Sequence, residues 1–316
     1  MSLISMTRKK LFRLINIAMF AIGIAALWYY AGLQWQNRPP AWPAVNWSLA
    51  FLSLLLAVAY SFSYGIGWHL ITRAMGIGLP IGTSIAIWGY SLFGKYVPGN
   101  IVLVTYRIGA YMLRAQAQTQ QVLAAVGLES LFSVGSGLVF LLIVALLAQF
   151  DLVSAYVTPQ RLALIVAGLA AVGFVLLLPP IKRRIFRLLG LEAAVDSVNF
   201  AVILGLLVYY VSAWCIITLS FWLLCRSMGI DQLSWSRCAA IYGAAGLSGI
   251  LAVFSPSGLG VREGLMVALL SQSVPIELAL AVALASRINS LVGDVAAIGV
   301  GFAGLRVLSA REGEDG

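Results

Sequence analysis

The chain has 316 residues, of which 61% are hydrophobic and 10% charged, whereas an ordinary soluble domain is about 45–50% apolar and about 25% charged. That composition excludes a soluble enzyme with an ordinary polar surface and predicts an all-α polytopic membrane protein, a single integral-membrane domain over residues 1–316. The net charge of +9 would suggest nucleic acid in a soluble chain; here it is read as topology, because cationic loops hold the cytoplasmic side.

Residues 1–13 form a basic start (Arg8, Lys9, Lys10, Arg13) ahead of the apolar run Leu14 to Leu33. The run is longer than the apolar core of a typical signal peptide and no small-x-small cleavage site follows, so it reads as an uncleaved anchor. Since a spanning helix needs about 20 mostly apolar residues, full spans are expected at roughly 12–33, 48–71, 120–149, 161–179, 199–225 and 277–306. Aromatic residues from Trp28 to Trp47 flank the first outer loop as an interfacial belt. Two further apolar regions, 81–114 and 235–271, are interrupted by Pro98-Gly99 and by Ser255-Pro256-Ser257-Gly258. Each half of such a region is too short to span, which predicts two re-entrant helical hairpins.

The charges test that prediction. With the amino terminus inside and both interrupted regions drawn as hairpins, twelve cations fall in inner loops: Arg8, Lys9, Lys10, Arg13, Arg73, Arg114, Lys182, Arg183, Arg184, Arg187, Arg306 and Arg311. Four fall outside, Arg38, Arg161, Arg226 and Arg237. The bias favours this topology and a cytoplasmic carboxyl-terminal tail at 307–316. One hairpin then opens from the cytoplasm and the other from the opposite face, as inverted copies. Trp88-Gly89-Tyr90 before Pro98, and Ile241-Tyr242-Gly243 before Pro256, support an inverted repeat, a recurring transporter design.

Seven ionisable residues lie in the apolar stretches: Lys95, Arg107, Glu129, Arg262, Glu263, Arg287 and Asp294. A charge at the centre of a spanning helix costs about 2.5–3.5 kcal/mol on insertion scales, so these side chains must face one another or water. Four cations against three anions leave a surplus cation to attract an anionic group. Helices that stop and restart around Pro98-Gly99 and around Pro256, Gly258 and Gly260 also present free amides to an anion. Arginine reads phosphate better than lysine through its planar fork. Two readings stand side by side: these residues contact a ligand at membrane depth, led by Arg107 and Arg262, or Arg262 and Glu263 are held in structural ion pairs with Asp294 and Arg287; counter-ion duty is the alternative for Glu129, Arg287 and Asp294, snorkelling for Lys95 and proton acceptance in coupled transport for Glu263.

The remaining chemistry is sparse. His69 is the sole histidine, and Cys215, Cys225 and Cys238 form no C-x-x-C pair, so neither a metal site nor a cofactor is expected. There is no G-x-x-x-x-G-K-[ST] loop to bind a nucleotide.

"FGKYVPGNIVLVTYRIG" (Phe93 to Gly109) and "SPSGLGVREGLMVALL" (Ser255 to Leu270) resemble the two signatures of the lysylphosphatidylglycerol synthase transmembrane-region family, over roughly residues 10–308. The resemblance implies re-entrant helices around a central lipid cavity and a flippase for an anionic phospholipid in the bacterial inner membrane. Aminoacyl transfer belongs to a separate soluble domain of the two-part relatives and is not carried over. The matching positions are Pro98, Gly99 and Arg107 in the first motif, and Pro256, Gly258, Gly260, Arg262 and Glu263 in the second; Ser257 departs from the glycine common in relatives. Stand-alone relatives accompany envelope glycan or polyprenyl-lipid pathways, which implies a phospholipid or polyprenyl-linked lipid as partner, together with envelope-biosynthesis proteins. Lipid translocase is the leading function, with a membrane scaffold and an intramembrane lipid transferase as alternatives.

Overall fold

The computed structural model describes residues 44–96, 101–148, 200–252 and 256–314, and the single position 184. The expected spans 12–33 and 161–179, the basic start at 1–13 and the pair Pro98-Gly99 lie outside the described residues. Eight α-helices account for nearly all of the rest: α1 (Trp47–Ala74), α2 (Ile81–Ser91), α3 (Ile101–Ala115), α4 (Thr119–Ala148), α5 (Phe200–Ser227), α6 (Trp235–Leu251), α7 (Val261–Leu270) and α8 (Ile276–Glu314). No strand occurs among the described residues. Four of the helices, α1, α4, α5 and α8, are long and apolar enough to cross a membrane. With 39 residues α8 is the longest; at 1.5 Å per residue it extends about 58 Å, and it continues as helix through the expected tail.

The helix ends follow from the sequence. Asn46 caps α1 by accepting from the Leu49 amide at 3.2 Å, and Ser234 caps α6 by accepting from Arg237 at 3.3 Å. α1 and α5 stop in the same way. Gly76 and Gly229 take left-handed φ values of 74° and 76°, and the amides of Ile77 and Ile230 reach back to the carbonyls of Thr72 and Cys225, both at 3.0 Å. The chain spells this repeat directly: Arg73 to Ile77 reads Arg-Ala-Met-Gly-Ile and Arg226 to Ile230 reads Arg-Ser-Met-Gly-Ile.

α1 and α5 cross antiparallel as the central pair. The Asn46 amide donates to Ser227 O at 2.8 Å, Ser53 and Ser220 exchange hydroxyl-to-carbonyl bonds at 2.8 and 2.7 Å, and Tyr209 donates to Ser63 O at 2.6 Å. α8 runs parallel to α1, where Asn289 donates to Ser53 at 2.9 Å and Gly293 lies against Ser61. α4 runs parallel to α5, through stacks of Phe132 on Tyr210 and Phe140 on Trp214.

The remaining helices pair as hairpins, and contacts obey a two-fold exchange. The first limb of each hairpin packs on the last long helix of the opposite half, α2 on α8 and α6 on α4. α2 reaches α8 through small residues: Gly89 meets Ala297, and Gly301 meets Ala86 and Tyr90, so closely that a Cβ on either glycine would strike backbone. In the second hairpin Gly258, at φ 67°, lies flat on Gly249, where a Cβ would approach backbone to 2.6 Å.

The breaks differ in detail from the sequence expectation. Regular α-helix ends at Ser91, seven residues before Pro98, and the chain tightens to a 3-10 turn over Leu92–Tyr96. The reason is Gly94, which sits directly against the backbone of Leu103 at the start of α3, an approach that any side chain would block. α6 likewise ends at Leu251, ahead of the 3-10 turn Pro256–Gly258.

Candidate functional site

The two hairpins reach the middle of α8 from opposite ends. α2 lies antiparallel along its carboxyl-terminal half through Ala297 and Gly301, whereas α7 lies antiparallel along its amino-terminal half through Ser286 and Ser290. The two 3-10 turns therefore meet, near a face of α8 formed by Arg287, Ser290 and Asp294. Spacings of three and four place these residues on one helix surface.

Three ion pairs absorb six of the seven predicted ionisable residues. Arg107 and Glu129 pair at 2.5 Å. Arg107 is 1% exposed, lies 4.3 Å over the Trp68 ring and donates from Nε to Ser91 at 2.9 Å; Trp88 donates to the other Glu129 oxygen at 2.9 Å. Glu263 and Arg287 pair at 3.5 Å. Glu263 also accepts from the Gly260 amide at 2.9 Å, and Arg287 donates to the Ser257 carbonyl at 3.2 Å, so this pair clasps the second break. Lys95 donates to Asp294 at 2.8 Å and ties the first hairpin's tip to α8.

Arg262 stands apart. Among the described residues no carboxylate lies within ion-pair distance of it. One terminal nitrogen donates to Tyr242 Oη at 2.9 Å and the other to Ser290 at 3.3 Å, and its guanidinium lies 4.8 Å from the Tyr242 ring centroid. Its Nε is buried and has no hydrogen-bond partner among the described residues. Hydroxyls thus hold the guanidinium in place without neutralising it. Ser290 and Asp294 are one turn apart, about 6 Å along α8, so Arg262 and Lys95 arrive from opposite hairpins on adjacent turns.

The structure thus brings Arg262, Glu263, Lys95, Arg287 and Asp294 together around one stretch of α8 and sets Arg107 and Glu129 apart, enclosed between α1, α2 and α4. The pairing of Glu263 with Arg287 is the structural alternative read from the sequence. Arg262 with Asp294 is not formed; Asp294 pairs with Lys95 instead. Tyr242 and Ser290 were not singled out as site residues. Their signals were present: Tyr242 marks the repeat, and Ser290 falls between two charged positions on one face. His69, 9% exposed, has Nδ1 3.2 Å from Ser84 Oγ and is a satisfied core side chain. Among the described residues no cluster of His, Cys, Asp and Glu gathers to hold a metal.

Long apolar helices, broken hairpins and charges gathered at their tips define a multi-pass membrane protein, and the lipid-related character of its function comes from its family. The family described as Lysylphosphatidylglycerol synthase TM region matches residues 16–298, and the chain belongs to it. No curated protein matches the chain closely enough to count as a relative.

Proposed function

We propose that the protein is a lipid translocase whose anionic head-group site centres on Arg262, where the hairpin tips meet. The observation that carries this reading is the guanidinium without a carboxylate, whose buried Nε has no hydrogen-bond partner among the described residues. A phosphate oxygen supplies what that nitrogen lacks, as a charge-assisted hydrogen bond at low dielectric. Lys95, 35% exposed at its side chain, is the nearest second cation and exchanges Asp294 for the ligand. Glu263 and Arg287 shape the break that presents Arg262, and Arg107 with Glu129 braces the first hairpin. With α8 crossing the bilayer, the hairpins re-enter from opposite faces, and alternate loosening of one or the other exposes the site to each leaflet in turn. The positive-inside distribution supports cytoplasmic termini, and the family supports the inner membrane of a bacterium as the site of action. Translocation makes and breaks no covalent bond, so we assign no catalytic residue.

The test uses purified protein in vesicles carrying fluorescent phosphatidylglycerol, with a membrane-impermeant quencher reporting which leaflet holds the probe. Wild-type protein is expected to exchange the probe between leaflets. Arg262→Gln is expected to slow exchange about 10- to 100-fold, the loss of one charged hydrogen bond. An undiminished rate in a folded Arg262→Gln protein refutes the assignment.

A scaffold for envelope assembly is the second reading, favoured by the internal neutralisation of six of the seven charges. Under it, wild-type vesicles show no exchange above protein-free vesicles, and Arg262→Gln lowers protein abundance instead.

A further inference from the structure

Away from the hairpin tips, two tyrosines end in buried hydroxyls with no hydrogen-bond partner among the described residues, Tyr64 of α1 and Tyr210 of α5. They are neighbours: their rings meet edge to face with centroids 5.3 Å apart. The Tyr210 hydroxyl points at the bare backbone of Gly67, where a Cβ would sit 2.6 Å from it. Gly67 is one turn from Tyr64, so both hydroxyls open on the same side of α1. The Tyr60 ring also meets that of Tyr64 edge to face, with centroids 5.1 Å apart. On α4, Glu129 lies one turn before Phe132, whose ring stacks on that of Tyr210.

An unbonded buried hydroxyl costs about 1–3 kcal/mol. Two of them together beside a carboxylate form a polar interior surrounded by packed rings. A buried water commonly makes about three hydrogen bonds to such groups. We infer that ordered water occupies this interior between α1, α4 and α5, bridging the hydroxyls of Tyr64 and Tyr210 to Glu129.

Pulsed X-ray hydroxyl-radical footprinting of the wild-type protein in lipid nanodiscs tests this, because internal water generates radicals beside the side chains that bind it. Tyr111 is the dry control: it is fully buried, but its hydroxyl is met by Trp68, Thr72 and Ser84. Tyr64 and Tyr210 are expected to label several-fold faster than Tyr111; protection equal to that of Tyr111 overturns the inference. Independently, Tyr210→Phe is expected to lower Tm by about 2–4 °C through lost water bonds. A Phe variant as stable as the wild type, or more so, also overturns it, since removing an unsatisfied hydroxyl from a dry core costs nothing. Neither readout depends on lipid movement.

Discussion

Arg107 shows why a buried pair is judged by what remains when one partner is removed. Its guanidinium is enclosed by Glu129, Ser91 and the Trp68 ring. Glu129→Leu leaves that charge buried without its counter-ion and is expected to destabilise the protein by about 3–5 kcal/mol. Adding Arg107→Met should recover most of the loss, because apolar replacement of a whole buried pair is often neutral. Thermal unfolding of both single mutants and the double mutant in detergent checks this; a double mutant as unstable as the sum of the singles contradicts it. Ser257 supplies a second case. It has a left-handed φ of 55°, a conformation costing a non-glycine residue about 1–2 kcal/mol. Ser257→Gly is expected to be tolerated, while β-branched Ser257→Val lowers the unfolding temperature. At this scale the sequence disclosed which residues carry buried charge, because each is costly in an apolar stretch. It did not disclose their pairing, since Lys95 and Asp294 lie 199 positions apart and nothing local connects them.

At the scale of elements, small residues govern how closely helices approach. The contact of α2 with α8 rests on Gly89 and Gly301, where added side-chain atoms would meet backbone rather than yielding side chains. Gly301→Leu is therefore expected to force the first hairpin off α8 and cost about 1–3 kcal/mol or more. Gly299→Leu, two residues away with nothing within 4 Å of its added Cβ, is the matched control and should be near neutral. Equal unfolding temperatures for the two variants would show that this crossing contributes little. Long spans were legible from apolar length alone, and four of them appear within a few residues of their expected bounds. The breaks were legible through proline and glycine, but their starting points were not. Gly94 unwinds the chain ahead of Pro98 because of what it touches in three dimensions, which local propensity does not record.

Across the whole molecule, the two halves repeat with exchanged polarity. In the first, the hairpin contributes the cation Arg107 and the following long helix the anion Glu129; in the second, the hairpin contributes the anion Glu263 and the following helix the cation Arg287. Trp88-Gly89-Tyr90 and Ile241-Tyr242-Gly243 marked this repeat in the sequence, whereas the match of Arg-Ala-Met-Gly-Ile to Arg-Ser-Met-Gly-Ile stands out only once both are seen to end α1 and α5. The exchange of charge sign obscured the rest. Lys95–Asp294 joins the halves, and translocation by alternate loosening requires it to part. With the native cysteines replaced, a cleavable thiol cross-link between Lys95→Cys and Asp294→Cys is expected to arrest lipid exchange, and cleavage to return it to the rate of the same double variant before cross-linking, which lacks the Lys95 cation. Unchanged exchange in the cross-linked protein would mean that the first hairpin works without leaving α8.

The separations of these pairs along the chain also set an order of assembly during synthesis. Arg107 waits only 22 residues for Glu129, and Glu263 only 24 for Arg287, so each half enters the bilayer with its own charge compensated soon after it leaves the ribosome. Lys95 waits 199 residues for Asp294. The tip of the first hairpin is thus the last of these charged points to be fastened, only once α8 has been made.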